Sequence, residues 1–406
     1  MNKIIYNNGK IGMMEMFIPL FCIINQYKIF GIQIGLVAVI FITAFSILTN
    51  RNIYVYKPLV ALFGFMLVHD VIKMFIVGIN FGLWAERLCY LLLLSCIYKR
   101  VDEEKLFNIW KYIAIIVMVG MFIQSFQVYI LGESVSTIRL IPLMKSGSSN
   151  YLLKYNRPHS FFFEPASYST WMLPFLCMCM KKKKNIWLIV GSISVLLSTS
   201  STGILLTGIL WLFYSINMAI SERKRSNSIM ILGILLIGVG VFCYVPIFAV
   251  AVNKLTKISI TDTSNSVRLI LGYQLFWKAA PVYKLIGIPY INVEEYLRSG
   301  EVALSMYGLN LNISYLGFVN AIGNCLLVYG VFGLLLYLKL FHNIWKESNT
   351  YSKCYVLICF IGIFGQSVFW NGFFLMQFAV MLSQLEGKSF VKVILGQGVG
   401  RIQYES

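Results

Sequence analysis

The chain has 406 residues, of which 58% are hydrophobic and 12% charged, with a formal net charge of +18 and a mean hydropathy of +0.76. Soluble domains of ordinary composition carry about a quarter charged residues, so a water-soluble globular enzyme is excluded. The positive charge is then read as a membrane-orientation signal, and nucleic acid is not expected as a partner. The fold class that remains is an all-α, polytopic integral membrane protein, a single membrane domain over 1–406 lying in the lipid bilayer.

Apolar segments long enough to span recur at 11–27, 29–48, 58–78, 83–98, 108–131, 162–180, 185–200, 202–220, 228–252, 313–340, 354–370 and 371–386, about twelve in all. The first has no small-residue cleavage pattern and another span soon follows, so no removable signal peptide is expected. With the N-terminus inside, the cytoplasmic segments collect Lys3, Lys10, Arg51, Lys57, Lys99, Arg100, Lys105, the run Lys181 to Lys184, Arg223, Lys224, Arg225, Lys346, Lys353, Lys388, Lys392 and Arg401. Both termini are therefore expected in the cytoplasm. The nine cysteines all fall within apolar segments with no CxxC pair, which suggests neither a disulfide framework nor a zinc site.

The third segment contains "HDVIKMF" (69–75), which puts His69, Asp70 and Lys73 at membrane depth. Asp70 and Lys73 are three apart and can pair on one helical face. Ionisable residues at this depth hint at function; a structural ion pair with Glu86 or Arg87 accounts for them equally well.

Two external loops break the charge pattern. The first, 132–161, carries Arg139, Lys145, Lys154 and Arg157 against Glu133 alone. Its end runs into "YNRPHSFFFEPASYSTWMLPFLC" (155–177), where Arg157, His159 and Glu164 sit together at the start of an apolar helix. Pro165 suits a first helical turn, so Glu164 reads as an N-cap; that leaves Arg157 and His159 unexplained, and Phe161 to Phe163 would dehydrate the carboxylate. The second loop, 253–312, carries Lys254, Lys257, Arg268, Lys278, Lys284 and Arg298 against Asp262, Glu294, Glu295 and Glu301. Within it "SNSVRLILGYQLFWKAAP" (264–281) has a cap signal, a proline stop and apolar Val267, Leu271 and Leu275, the pattern of an amphipathic helix lying on the membrane face or capping a cavity. Arg268 falls in its first turn, against the helix dipole; an external anion or Asp262 would balance it. Long loops also translocate regardless of charge, so an anionic ligand is one reading of these cations.

"RPHSFFFEPASYSTWMLPFL" resembles the Arg-x-x-Ser-Phe-Phe-x-Glu-Pro signature of the polytopic polymerases of O-antigen and capsular polysaccharide (Wzy-type proteins). "LLSTSSTGILLTGIL" (196–210) resembles that family's Ser-rich turn, and the 266–290 stretch its external Arg-containing helix followed by glycine. "VNAIGNCLLVYGVFGLLLYL" (319–338) resembles the Asn…Gly-x-x-Gly span shared with O-antigen ligases through Asn320, Gly330 and Gly333, but Val319 stands where the ligases have histidine. The likeness covers roughly 155–340.

That resemblance implies a GT-C-like fold in a bacterial cytoplasmic membrane and a metal-independent glycosyltransferase that uses no cofactor. The implied substrate is an oligosaccharide on undecaprenyl diphosphate, transferred to a sugar hydroxyl of another lipid-linked repeat unit. A flippase and a chain-length regulator are the implied partners. The roles implied are Arg157 and Arg268 clamping the diphosphate, Glu164 or His159 accepting the hydroxyl proton, and Asn320, Ser160 and Arg298 in support. External Tyr151, Tyr155, Tyr290 and Tyr307 would stack on sugars or sit in an interfacial belt. The competing readings are a flippase or transporter of lipid-linked glycans, which the 69–75 cluster favours, and an O-antigen ligase, which Val319 disfavours.

Reporter fusions after Lys184 and at the C-terminus should both read cytoplasmic, and a fusion inside 253–312 should read external. A cytoplasmic signal from that loop would reverse the assignment of sides.

Overall fold

The computed structural model describes residues 12–49, 52–77, 81–140, 156–220, 233, 267–290, 293–299, 319–385, 389–394 and 401–404. The chain runs α1 (Met13–Ile24), a short hairpin of β1 (Lys28–Ile29) and β2 (Ile32–Gln33), α2 (Ile34–Thr49), β3 (Asn52–Tyr56), α3 (Lys57–Val77), α4 (Phe81–Ile97) and α5 (Glu103–Tyr129). It continues with α6 (Pro165–Lys181), α7 (Asn185–Leu197) and α8 (Ser201–Ile220). A π-helical turn (Val267–Leu271) leads into α9 (Gly272–Lys278), α10 (Pro281–Ile286) and α11 (Val293–Arg298). The chain closes with α12 (Ala321–Glu347), α13 (Thr350–Gly362), α14 (Gly372–Ser383), β4 (Phe390–Ile394) and β5 (Arg401–Tyr404).

Every expected apolar segment within the described residues holds a helix; 228–252 lies outside them except for helical Gly233. Among the described residues four helices, α3, α5, α8 and α12, are long and apolar enough to cross a membrane. Their outward faces carry Ile72, Phe75, Ile116, Leu205 and Phe332 fully or half exposed, as lipid-facing surfaces do. The mainly helical class is as expected. The sequence reading missed the antiparallel three-stranded sheet β3-β4-β5, in which Tyr54 stands opposite Lys392.

The two ends of the bundle differ in chemistry. At one end Lys181 pairs with Glu103 at 2.6 Å, Lys182 pairs with Glu104, Arg100 donates to the Ser46 carbonyl, and the sheet packs Tyr98 against Phe390. At the other end the loops that precede α6 and α12 meet the turn between α13 and α14, and Gln26 donates to the Phe161 carbonyl at 3.3 Å.

Helix α12 is broken inside the apolar layer. Gly330 has φ 66 and ψ −167, a conformation essentially restricted to glycine. A break there frees backbone groups that hydrocarbon cannot satisfy. Lys73 donates to the Val328 carbonyl at 2.5 Å and to Tyr290 O at 2.9 Å, and the Ile288 N–H donates to Leu327 O at 2.8 Å. The tight seam between α10 and α12 leaves no room for a Cβ at Gly330, where the Leu285 carbonyl would collide with it, or at Gly287, where the Val328 carbonyl would. Asp70 does not pair with Lys73, as the spacing of three allowed. It binds Arg87, and the Tyr329 hydroxyl lies 3.1 and 3.2 Å from its two carboxylate oxygens. This is the structural pairing with Arg87 that the sequence left open.

Truncating one member of a buried ion pair strands the other and costs about 3–5 kcal/mol. Thermal unfolding in detergent should therefore show a large loss for Arg87→Leu and a much smaller one for Asp70→Leu combined with Arg87→Leu. Equal losses would mean that the pair is not coupled.

Candidate functional site

The approach to α6 is organised by a glutamine buried near the C-terminal end of α5. Gln124 Oε1 accepts from the backbone N–H of His159 at 2.8 Å and of Ser160 at 2.6 Å, and its Nε2 donates to Ser136 O at 2.7 Å. Ser160 sits at φ 54, in the left-handed region, and its hydroxyl donates to Val117 O at 2.6 Å. With the loop fixed this way, His159 is only 1% exposed, and its Nδ1 lies 3.0 Å from the Arg157 carbonyl. Burial holds the imidazole below its ordinary pKa, with the carbonyl contact acting in the opposite sense, so histidine at neutral pH is the uncharged form.

Arg157 turns the other way, toward the Ser-rich turn after α7. Its Nε donates to Thr199 Oγ1 at 2.8 Å and its Nη2 to the Thr199 carbonyl. Ser200 then caps α8 by accepting from Gly203 N at 3.2 Å. Two motifs quoted from the sequence are thus one structural unit.

Glu164 occupies the N-cap position of α6, with Pro165 as the first helical residue, but its side chain makes no capping bond. The carboxylate faces outward, and its Oε2 lies 3.7 Å from Arg268 Nη2. Arg268 is carried by the π-helical turn before α9. Its backbone is held by Asn320, whose Nδ2 donates to Arg268 O at 2.6 Å while its Oδ1 caps α12 by accepting from Gly323 N at 2.7 Å. The approach is close because Gly272 and Gly323 meet without side chains; a Cβ on Gly272 would stand 3.0 Å from Gly323 Cα. The apolar stripe of α9 points inward through Leu271, Leu275 and Phe276, whereas Trp277 is 71% exposed. The apolar side of α9 therefore packs into the bundle, against α12.

Glu164 and Arg268 line a small open cleft of about 80 Å³ with Ala166, Ser167, Thr170, Gln366, Ser367, Val368, Asn371 and Phe373. Arg157, His159 and Ser160 are not among its lining residues, and Asn320 supports it from behind. Arg298, at the exposed end of α11, does not line it either. Tyr290 is engaged through its carbonyl by Lys73, and Tyr151, Tyr155, Tyr307 and Asp262 lie outside the described residues.

No family model and no curated protein matches the chain.

The sequence gives no expectation for the wall formed by the turn between α13 and α14. The apolar segments 354–370 and 371–386 adjoin, so Gln366, Ser367 and Asn371 fall inside one continuous hydrophobic run. The available signal was "GQSVFWNG" (365–372): three polar residues bracketed by glycines, with Asn371 at a cap position. Gln124 gave no comparable signal, because one glutamine in a long apolar helix is invisible to periodicity.

Asn320→Ser keeps an N-cap acceptor but is too short to reach the Arg268 carbonyl; Asn320→Ala loses both contacts. Removing an N-cap costs about 0.5–2 kcal/mol, so thermal unfolding should rank wild type above Asn320→Ser and Asn320→Ser above Asn320→Ala.

Proposed function

We propose that the chain is a membrane glycosyltransferase that polymerises a surface polysaccharide, O-antigen or capsule, by moving a glycan from undecaprenyl diphosphate onto a sugar hydroxyl of a second lipid-linked repeat unit. The observation that carries this reading is the meeting of Glu164, at the start of α6 just after the basic segment 132–161, with Arg268 from the basic segment 253–312, across a cleft at the end of the bundle away from Lys181 and Lys182. A cytoplasmic membrane, about twelve spans, a GT-C-like arrangement and cytoplasmic termini belong to the same proposal.

In this mechanism the Glu164 carboxylate accepts the proton of the acceptor hydroxyl as its oxygen forms a bond to the donor's anomeric carbon. The bond from that carbon to the diphosphate oxygen breaks, and undecaprenyl diphosphate departs with the electron pair. The charge that develops on the leaving group needs a cation, and a guanidinium offers two parallel donors to phosphate oxygens. At 3.7 Å the Arg268–Glu164 pair is longer than a charge-assisted hydrogen bond of about 2.7–2.9 Å. Both side chains are partly exposed, so separating them costs little. Arg268 can therefore exchange the carboxylate for a diphosphate, which at the same moment releases Glu164 to act as base. Arg157, committed to Thr199, becomes a positioning residue in this scheme. His159 is too enclosed to meet a sugar.

The transporter reading drew on the intramembrane cluster at 69–75. Asp70, Arg87 and Tyr329 bind one another, and Lys73 holds the broken helix, which is structural work.

Loss of a transition-state donor costs about 10²–10³ in rate, and loss of a general base about 10²–10⁴. In purified protein supplied with lipid-linked repeat units, Arg268→Ala and Glu164→Gln should fold yet make no long polymer, Arg268→Lys should restore little, and His159→Gln should keep most of the activity. Polymer should still form in EDTA. Full-length polymer from both Arg268→Ala and Glu164→Gln would defeat the mechanism.

A further inference from the structure

The cleft has a second wall for which the transfer chemistry gives no role. Gln366 lines it, is only 5% exposed, and its Nε2 has no hydrogen-bond partner among the described residues. A buried N–H left without an acceptor costs about 1–3 kcal/mol, and here the residue that carries it lines the cleft.

The wall around it is held in shape. The Gln366 carbonyl accepts from Ala321 N at 2.9 Å, and its own N–H donates to Gly362 O at 2.9 Å. Asn371 Nδ2 donates to Ser367 O at 2.6 Å, and its Oδ1 accepts from Phe373 N and Phe374 N, each at 3.1 Å. Asn371 thus shapes the turn and fixes where Ser367 and Phe373 stand. The Thr170 hydroxyl donates to Ala166 O at 2.8 Å, which leaves its oxygen as an acceptor toward the cleft.

The charges of the lining groups bear on what fills the rest of the cleft. Among them Arg268 and Glu164 are one cation and one anion that offset each other, and the rest are amides, hydroxyls and apolar groups with the Phe373 ring. An anionic ligand filling this cleft would meet a single guanidinium. An uncharged sugar meets an amide donor, hydroxyls of both capacities and a flat apolar face. We infer that the turn 363–371 is the recognition wall for the acceptor sugar, with Gln366 Nε2 donating to one of its oxygens and Phe373 packing on its ring. This rests on the polymerase reading and adds to it: the acceptor lies against α13 and α14 beside Glu164, and the diphosphate of the donor lies on the Arg268 side.

A single neutral hydrogen bond is worth roughly 0.5–1.5 kcal/mol, up to about tenfold in affinity. The probe is the soluble oligosaccharide released by mild acid from the host's lipid-linked repeat units. Its binding to the purified full-length protein is followed by ligand-observed NMR or calorimetry. Binding should weaken about tenfold in Gln366→Met and measurably in Ser367→Ala, with thermal unfolding unchanged. In turnover, Gln366→Met should raise the KM for added oligosaccharide acceptor and leave the KM for the lipid-linked donor alone. Binding equal to wild type in Gln366→Met, or no binding by wild type, overturns the inference. The two readings fail separately. Polymerisation with an unchanged acceptor KM in Gln366→Met removes the recognition wall and spares the polymerase. Gln366-dependent binding without polymer removes the polymerase and spares the wall.

Discussion

A helix that breaks inside an apolar layer must find partners for the backbone groups it releases, and the rest of this bundle is arranged around that requirement. The break at Gly330 is met by the Lys73 ammonium on the Val328 carbonyl and by the Ile288 N–H on the Leu327 carbonyl. Because hydrocarbon offers no water to substitute, these contacts fix where α10 lies, and α10 follows directly on α9 and the turn bearing Arg268. The ammonium also lies 5.0 Å from the centre of the Tyr329 ring, whose hydroxyl joins Asp70 and Arg87. The ionisable residues of α3 and α4 and the Arg268 guanidinium are thus parts of one mechanical system.

The same logic carries across to the cleft's far wall. Trp370, which lies under the Arg87 guanidinium at 5.0 Å, and Phe369, whose ring centre is 6.0 Å from that of Tyr329, belong to the turn that bears Gln366 and Ser367. A buried polar cluster therefore braces both walls, Arg268 through α12, α10 and α9, and Gln366 through Trp370 and Phe369. Rigid walls lower the entropy cost of holding a flexible ligand.

Buried side-chain amides do much of the local positioning. Gln124 gathers the loop before α6, Asn320 ties the Arg268 backbone to the start of α12, and Asn371 shapes the turn before α14. Each satisfies donors or acceptors that would otherwise be orphaned at a helix end or in a loop, and each leaves a different side chain facing the cleft. Arg157 shows the converse. A cation in the most distinctive motif is spent on the Thr199 turn, and a less conspicuous arginine in the other loop faces the carboxylate.

Composition and apolar run length by themselves determined that this is a mainly helical membrane protein, and located its helices, because burying backbone in lipid demands runs of that length and apolarity. The motif at 155–177 also brought attention to Glu164, since a carboxylate next to Pro165 and three phenylalanines is costly wherever it lies. What the sequence left open was pairing. Spacing along α3 allowed Asp70 to meet Lys73, yet Arg87 on α4 was closer in space; Arg157 and Arg268 looked alike, yet only Arg268 reaches the cleft. The sheet formed by β3, β4 and β5 and the Gln366 wall were likewise invisible, since each joins segments far apart in the chain. Periodicity reports which face of an element is apolar, but which polar groups face one another is set by tertiary packing, and that is where charge and hydrogen bonding acquire their function.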